Sequence, residues 1–227
     1  MMYQHDSIIY NPDQESSLAV KAYNDLKTLI IYDKIKQGAA TSISALSKEL
    51  NLSRTPVTAA CQRLEYEGFI NIIPKQGIIV KSISLPEAKD IYEMRAMLES
   101  YIMRRYFKEY SEHDIALLEA SVERQEHIMD GLEFMNEDRV FHELIIGKCT
   151  NNHILANYSV LYDLTFSMGI QNCKSPSRIS SNVSDHKKIV ESIKSGSMEN
   201  SVYQVENHIL TCLASLLNIY MPSMHNN

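Results

Sequence analysis

The stretch ISALSKELNLSRTPVTAACQRLEYEGFINIIPKQGIIV, residues 43–80, contains three local patterns in close succession. In "SALSKEL", Leu46 and Leu50 fall on one face of a short helix. In "RTPVTAACQRLEYEG", Thr55 is placed to cap and Pro56 suits the first helical position, while Val57, Ala60, Cys61 and Leu64 form an apolar stripe that Gly68 ends. "FINII" and "GIIVK" are β-rich runs joined by the short turn "PKQ", which makes them a hairpin. Upstream, Leu18, Ala22, Leu26, Leu29, Ile30 and Ile35 recur at helical spacing from about Ser16 to Lys36, ahead of Gly38. The order is helix, helix, helix, hairpin, that of a winged helix-turn-helix.

Such a module reads DNA because its recognition helix enters the major groove with first-turn polar side chains against base edges and phosphates. That turn offers Ser53, Arg54, Thr55 and Thr58, with Gln62 one turn on; Arg54 is the expected direct contact. The wing tip, Lys75, Gln76 and Gly77, is placed to reach a neighbouring groove or phosphate. Taken singly, each segment also fits an ordinary capped helix or a solvated turn. Their order and spacing favour double-stranded DNA.

Charge divides the chain in the same place. Residues 1–82 hold nine Lys and Arg against eight Asp and Glu, and residues 83–227 hold thirteen against twenty, within an overall charge of -6. A module facing an anion is therefore joined to an acidic module with another task. "SISLPE" (82–87) marks the boundary, giving expected domains of 1–82 and 83–227. The second reads as helix throughout, near 86–109, 111–130, 132–149, 152–171, 178–195 and 198–220, separated by turn residues. The expected fold is mainly α: an N-terminal winged helix-turn-helix and a C-terminal all-α bundle of about six helices. The 227 residues suffice for two cores. No long apolar run or signal-like start appears, so a cytoplasmic protein without membrane contact is expected. Cys61, Cys149, Cys173 and Cys212 lack metal-binding or redox spacing and read as free thiols.

Within the second part, "EDRVFHELIIGKC" sets Asp138 and His142 four residues apart among apolar neighbours. They lie about 40° apart around the axis, so both reach one point. This is metal-ligand geometry and equally that of an ordinary helical acid–histidine pair. His186 and His208 favour the first, although each also fits a solvated or singly packed histidine. They are equidistant from residue 197, in the turn between two consecutive helices, so an antiparallel pair sets them level. One carboxylate and three imidazoles suit a divalent transition metal, Zn, Ni, Mn or Fe, with positions left open. His5, His113, His127, His153 and His225 show no such relation.

Residues 43–80 resemble the winged helix of GntR-type bacterial transcription regulators, whose pattern continues past "SRTPV" with Arg-Glu where this chain has Thr58 and Ala59. "DIYEMRAMLES", "DRVFHELIIGKCTNNHIL" and "SDHKKIVESIKSGSMENSVYQVENHI" resemble segments of the FCD effector domain of the FadR branch. Six helices rather than seven would indicate its VanR-like subgroup. The resemblance implies a metabolite-responsive regulator, a repressor, that binds a palindromic operator as a homodimer. It further implies a small organic acid as effector, with Arg95 near it. Arg95 equally fits an ion pair with Glu99 one turn on. Tyr158, Tyr162 and Phe166 make a stripe that reads as core or as cavity wall. Two other classes stand beside the regulator: a metal-dependent enzyme using the Asp-His-His-His centre, and a DNA-binding protein whose metal only braces the bundle.

Overall fold

The structure is a computed structural model that describes residues 18–220. Ser16 and Ser17, at the expected start of the first helix, and His5 and His225 lie outside the described residues. The chain divides between Ser84 and Leu85 into two compact units.

The first unit runs α1 (Leu18–Ile31), β1 (Ala40–Thr41), α2 (Ile43–Leu50), α3 (Arg54–Tyr66), β2 (Ile70–Ile73) and β3 (Gly77–Val80). Its core is the apolar stripe of α3, Val57, Ala60, Cys61 and Leu64, packed against Ala22 and Leu26 of α1 and closed by Leu46, Phe69, Ile78 and Val80. Beside that core, Tyr23 donates to Glu67 at 2.6 Å, Arg63 binds the same carboxylate at 2.9 Å, and the Arg63 guanidinium lies over the Tyr23 ring. This polar clasp ties α1 to the end of α3. Gly68, at φ 87°, then takes the left-handed position of a Schellman turn: its amide donates to Glu65, and Phe69 donates to Leu64.

Three local readings are corrected. The first helix stops at Ile31 and not near Lys36. Asp33 takes φ 56°, and the amides of Lys34 and Ile35 both donate to the Leu29 carbonyl, so the chain turns away. Asp tolerates that left-handed region better than most residues. Thr55 is not the cap of α3: Ser53 holds the extended cap conformation, without a side-chain bond, and the helix begins at Arg54. Pro56 is therefore third in the helix, where a missing amide proton still costs no intrahelical bond. The hairpin also gains a third strand, since β1 pairs antiparallel with β3, Thr41 opposite Ile78, giving the sheet order β1-β3-β2.

The second unit holds six helices among the described residues: α4 (Leu85–Tyr106), α5 (Glu112–Gln125), α6 (Gly131–Ile146), α7 (Asn152–Asn172), α8 (Pro176–Lys194) and α9 (Met198–Tyr220), with a 3-10 turn at Phe107–Glu109. Side-chain caps begin four of them, with Ser197 accepting from the Asn200 amide at the start of α9. Ser111 and Asp114 form a capping box, while Asp130 and Asn151 each accept two first-turn amides. The last two helices form a hairpin over Ser195–Ser197. α4 runs along α9 and touches α6 and α7, while α5 covers α6 and α8. The core is Ile102, Met103, Leu118, Phe134, Phe141, Ile145, Phe166, Ile189, Val205 and Ile209.

The wing hangs on one close approach. Gly77 has φ 116°, and a Cβ there would stand 2.5 Å from the Thr41 carbonyl oxygen. The glycine lets β1 dock on the sheet, a structural task apart from any contact with DNA. Gly77→Ala should destabilise the first unit by about 1–3 kcal/mol, the usual cost of forcing a side chain into such backbone. Equilibrium urea unfolding checks it, and an unchanged midpoint would mean that β1 does not pack as described.

Candidate metal centre and DNA-binding face

Asp138 and His142 project from α6, His186 from α8 and His208 from α9, all four side chains buried. One ligand atom from each lies within 4.8 Å of the others. His186 Nε2 and His208 Nε2 are 3.1 Å apart, and Asp138 Oδ1 stands 3.5 Å from His186 Nε2 and 3.8 Å from His142 Nε2. Phe141, next to His142 in sequence, stacks on the His186 ring with centroids 4.0 Å apart and fixes its plane.

Three of the four are held from behind, and those partners decide where the lone pairs point, whereas His208 Nδ1 is buried without a hydrogen-bond partner, 3.8 Å from Asp185 Oδ2. Glu99 of α4 takes His142 Nδ1 at 2.7 Å through Oε2 and Arg95 Nε at 2.7 Å through Oε1. Burial alone would raise the Glu99 carboxyl. The His142 ring and the Arg95 guanidinium outweigh burial and hold it near about 2, so it is ionised and can only accept. His142 Nδ1 must donate, and burial keeps this imidazole below its ordinary pKa and neutral. Its Nε2 therefore presents a bare lone pair to the cluster, and no hydrogen-bond partner meets it.

The same logic fixes His186, whose Nδ1 donates to Gln125 Oε1 of α5 at 2.6 Å. Burial and the neighbouring imidazoles push its pKa well down. Tyr162 of α7 donates to Asp138 Oδ2 at 2.6 Å, leaving Oδ1 inward; burial and Asp138 push that phenol well up, so it keeps its proton. At His208 burial would lower the pKa, but Cys212 and Asp185 outweigh it and push it up to about 10. His186 Nε2 and His208 Nε2 stand close enough to share one proton. Carboxylate–imidazole and phenol–carboxylate pairs of this sort are what orient metal ligands.

Sequence reasoning missed Glu99 as the partner of His142 and Gln125 altogether, and it read Cys212 as a free thiol without placing it beside His208. It left Tyr162 undecided between core and cavity, and that residue is buried with its hydroxyl on Asp138. The two readings of Arg95 turn out to be compatible. Its Nε is paired with Glu99, while its Nη2 is buried without a partner, and the guanidinium lies 4.6 Å from the Tyr162 ring centre. The Tyr158 hydroxyl is likewise buried and unpartnered. His153 is exposed at the start of α7, outside the cluster.

In the first unit, Ser53, Arg54, Thr55 and Gln62 are exposed along the open side of α3, and Thr58 is half-buried with its hydroxyl donating to the Arg54 carbonyl at 2.8 Å. Because Glu67 takes Arg63, Arg54 is the arginine of α3 with no side-chain partner among the described residues. Lys75 and Gln76 are exposed at the wing tip, where Lys75 takes φ 64° after Pro74, the pattern of a type II turn.

Comparison with known proteins assigns both units. Residues 18–80 match the model for bacterial regulatory proteins of the gntR family, and residues 90–211, more than half of the chain, match the FCD domain. The chain belongs to the GntR family. It is a transcription regulator, as its family and relatives are, and not an enzyme. The regulator YdhC of Bacillus subtilis (strain 168) is 24% identical over 200 residues, covering 86% of this chain and 89% of that protein. The gluconate operon transcriptional repressor of Bacillus licheniformis is 26% identical over 160 residues, 68% of this chain and 65% of that one. Among solved structures, a GntR regulator from Rhodococcus sp. RHA1 superposes with a TM-score of 0.77 at 15% identity, covering 89% of this chain and 98% of the other. Escherichia coli McbR/YncC gives 0.71 at 20%, covering 90% and 99%. These structural likenesses concern the fold. No helix among the described residues is long and apolar enough to cross a membrane.

The Glu99 carboxylate is the pivot of the second unit. Glu99→Ala would leave the buried Arg95 guanidinium unpaired, and metal-free protein should lose about 3–5 kcal/mol of stability in the helical unit. Urea unfolding followed by far-ultraviolet dichroism measures this; a loss of about 0.5 kcal/mol, typical of a surface change, would show that Arg95 does not depend on Glu99.

Proposed function

We propose that this chain is a metabolite-responsive repressor working in the cytoplasm, which binds a palindromic operator as a homodimer. In this reading Asp138, His142, His186 and His208 hold a divalent transition metal. A small organic acid then binds between that metal and Arg95. The observation that carries the reading is His142 Nε2, a fully buried imidazole nitrogen with a bare lone pair, no donor to meet it, and a carboxylate oxygen facing it at 3.8 Å. An acceptor buried against an acceptor is unfavourable, and a cation between them removes the conflict. One oxygen and three imidazole nitrogens suit Zn, Ni, Mn or Fe and leave coordination open. When bound, such a metal supplies an electrophilic position for a carboxylate oxygen.

This chain's own residues do the rest. Arg95 Nη2 and the Tyr158 hydroxyl, both buried without partners, are donors for an acid's remaining oxygens. Glu99 keeps Arg95 in place while it does so. Met94, Met97 and Tyr101 form an exposed apolar stripe along α4, which supports a second copy docking there. The repressor sense follows the names of the gluconate operon relatives, and the six-helix count supports the VanR-like subgroup.

On the DNA side, Ser53, Arg54, Thr55, Thr58 and Gln62 meet the major groove and the Lys75–Gly77 tip meets an adjoining groove or phosphate. With Arg63 engaged by Glu67 and Thr58 standing where the GntR pattern it resembles has arginine, Arg54 bears most of the base reading. Arg54→Ala should weaken binding to sites selected from genomic DNA by about 1–3 kcal/mol and relax sequence preference, with melting unchanged. Full affinity at moderate salt, by fluorescence anisotropy, would remove Arg54 from the interface.

Effector binding can change DNA affinity only through a difference between two arrangements of the protein, and a typical coupling is about 1–3 kcal/mol. Protein purified with its metal should therefore leave operator DNA when titrated with the responsible acid, drawn from a panel of short hydroxy and keto acids. His142→Ala and His208→Ala should lose stoichiometric metal and the response while still binding DNA, whereas His153→Ala should keep both. Equal metal in all three variants would overturn the site. Loss of metal that unfolds the bundle, with no acid altering DNA binding, would make the metal a brace.

A further inference from the structure

Behind His186 a line of hydrogen bonds runs outward from the cluster to the protein surface. Its Nδ1 donates to Gln125 Oε1 at 2.6 Å, Gln125 Nε2 donates to Ser121 Oγ at 3.4 Å, and the Ser121 hydroxyl donates to Glu137 Oε1 at 2.8 Å. Ser121 and Gln125 are fully buried and one turn apart on α5, so they share a face. Glu137 precedes Asp138 on α6, and its Oε1 also takes Nη2 of the exposed Arg124 at 2.7 Å. Glu99 orients His142 directly, because a carboxylate can only accept. A glutamine amide has no such preference, since either end makes one hydrogen bond to an imidazole. Its direction has to come from the next residue along.

We propose that Ser121 and Glu137 are positioning residues for His186, which through the Gln125 amide hold its ring as the Nδ1–H tautomer and keep Nε2 open to a divalent metal. This rests on the metal reading above and deepens it. The carboxylate oxygen paired with Arg124 accepts, so Ser121 directs its single proton there. Ser121 Oγ is then an acceptor on its inner side, and only the Gln125 amino group can supply that bond. The amide oxygen therefore faces His186, whose Nδ1 donates and whose Nε2 keeps its lone pair, 3.5 Å from Asp138 Oδ1 and 3.1 Å from His208 Nε2. With the amide turned over, Nδ1 would accept, the proton would sit on Nε2, and one of the three imidazole donors would be lost. Outer partners of a ligating histidine are worth about 10–100-fold in metal affinity.

The test reads the tautomer first and the metal second, and needs neither effector nor DNA. Metal-free full-length protein with isotopically labelled histidine nitrogens is measured by long-range proton–nitrogen correlation, His186 being assigned by its loss in His186→Gln. Wild type should show His186 with Nδ1 protonated and Nε2 bare. Ser121→Ala and Glu137→Ala should each move the ring toward the Nε2–H form, and titration with Co(II) alone should then show binding about 10–100-fold weaker than wild type at unchanged stoichiometry. Arg124→Ala, which leaves the Ser121–Glu137 bond in place, should keep the wild-type tautomer. An Nε2–H ring in wild type would overturn the relay, and so would a tautomer indifferent to both substitutions or a shifted tautomer with undiminished cobalt affinity. The expected tautomer shifts in a protein whose wild type takes up no cobalt would support the relay and overturn the metal reading. Should Ser121→Ala fail to fold by dichroism, Glu137→Ala, at the partly exposed end of the line, still decides.

Discussion

A single buried carboxylate organises the helical unit. Glu99 is fully buried, and leaving such a charge unpaired costs several kcal/mol, so its two oxygens must both be met. Arg95, one turn earlier on α4, meets one, and His142, on α6, meets the other. The first contact rests on helical periodicity alone. The second fixes the rotation and height of α4 against α6, and it sets the tautomer of His142, turning a lone pair inward. Packing and chemistry are thus joined at one residue.

The remaining helices obey the same rule. Gln125 brings α5 to His186, Tyr162 brings α7 to Asp138, and Asp185 on α8 faces His208 of α9 at 3.8 Å. Every helix of the unit contributes a ligand candidate or the group that orients one. An apolar bundle gains stability from area and tolerates small slides, whereas buried hydrogen bonds hold only over a few tenths of an ångström. A centre tied to the six described helices is coupled to their arrangement, the property that the proposed control by a ligand requires.

The first unit separates its tasks along one helix. The buried side of α3 is apolar, and its C-terminal end is clasped to α1 through Tyr23, Lys27, Arg63 and Glu67. Its N-terminal turn is left open, with Arg54 exposed. Arginine at both ends therefore has opposite fates: Arg63 stacks on Tyr23 and braces the core, and Arg54 remains available to an anion.

What the sequence determined by itself is whatever a helical or strand period encodes. The winged helix-turn-helix, the six helical segments, the Asp138–His142 spacing and the mirror placement of His186 and His208 about their turn are all properties of local geometry. Deviations came where a single residue or a distant strand overrode the period. Asp33 ended α1 early by entering the left-handed region, and the two residues of β1 carry no alternation to read and exist as a strand only through β3. Tertiary structure alone decided the outer partners. That Glu99 reaches a histidine 43 positions on, that Gln125 backs His186 across 61, and that Arg178 meets Cys212 across 34 depends on how helices rotate and slide when their apolar faces interlock. No local pattern records that rotation, because it minimises the energy of the whole core.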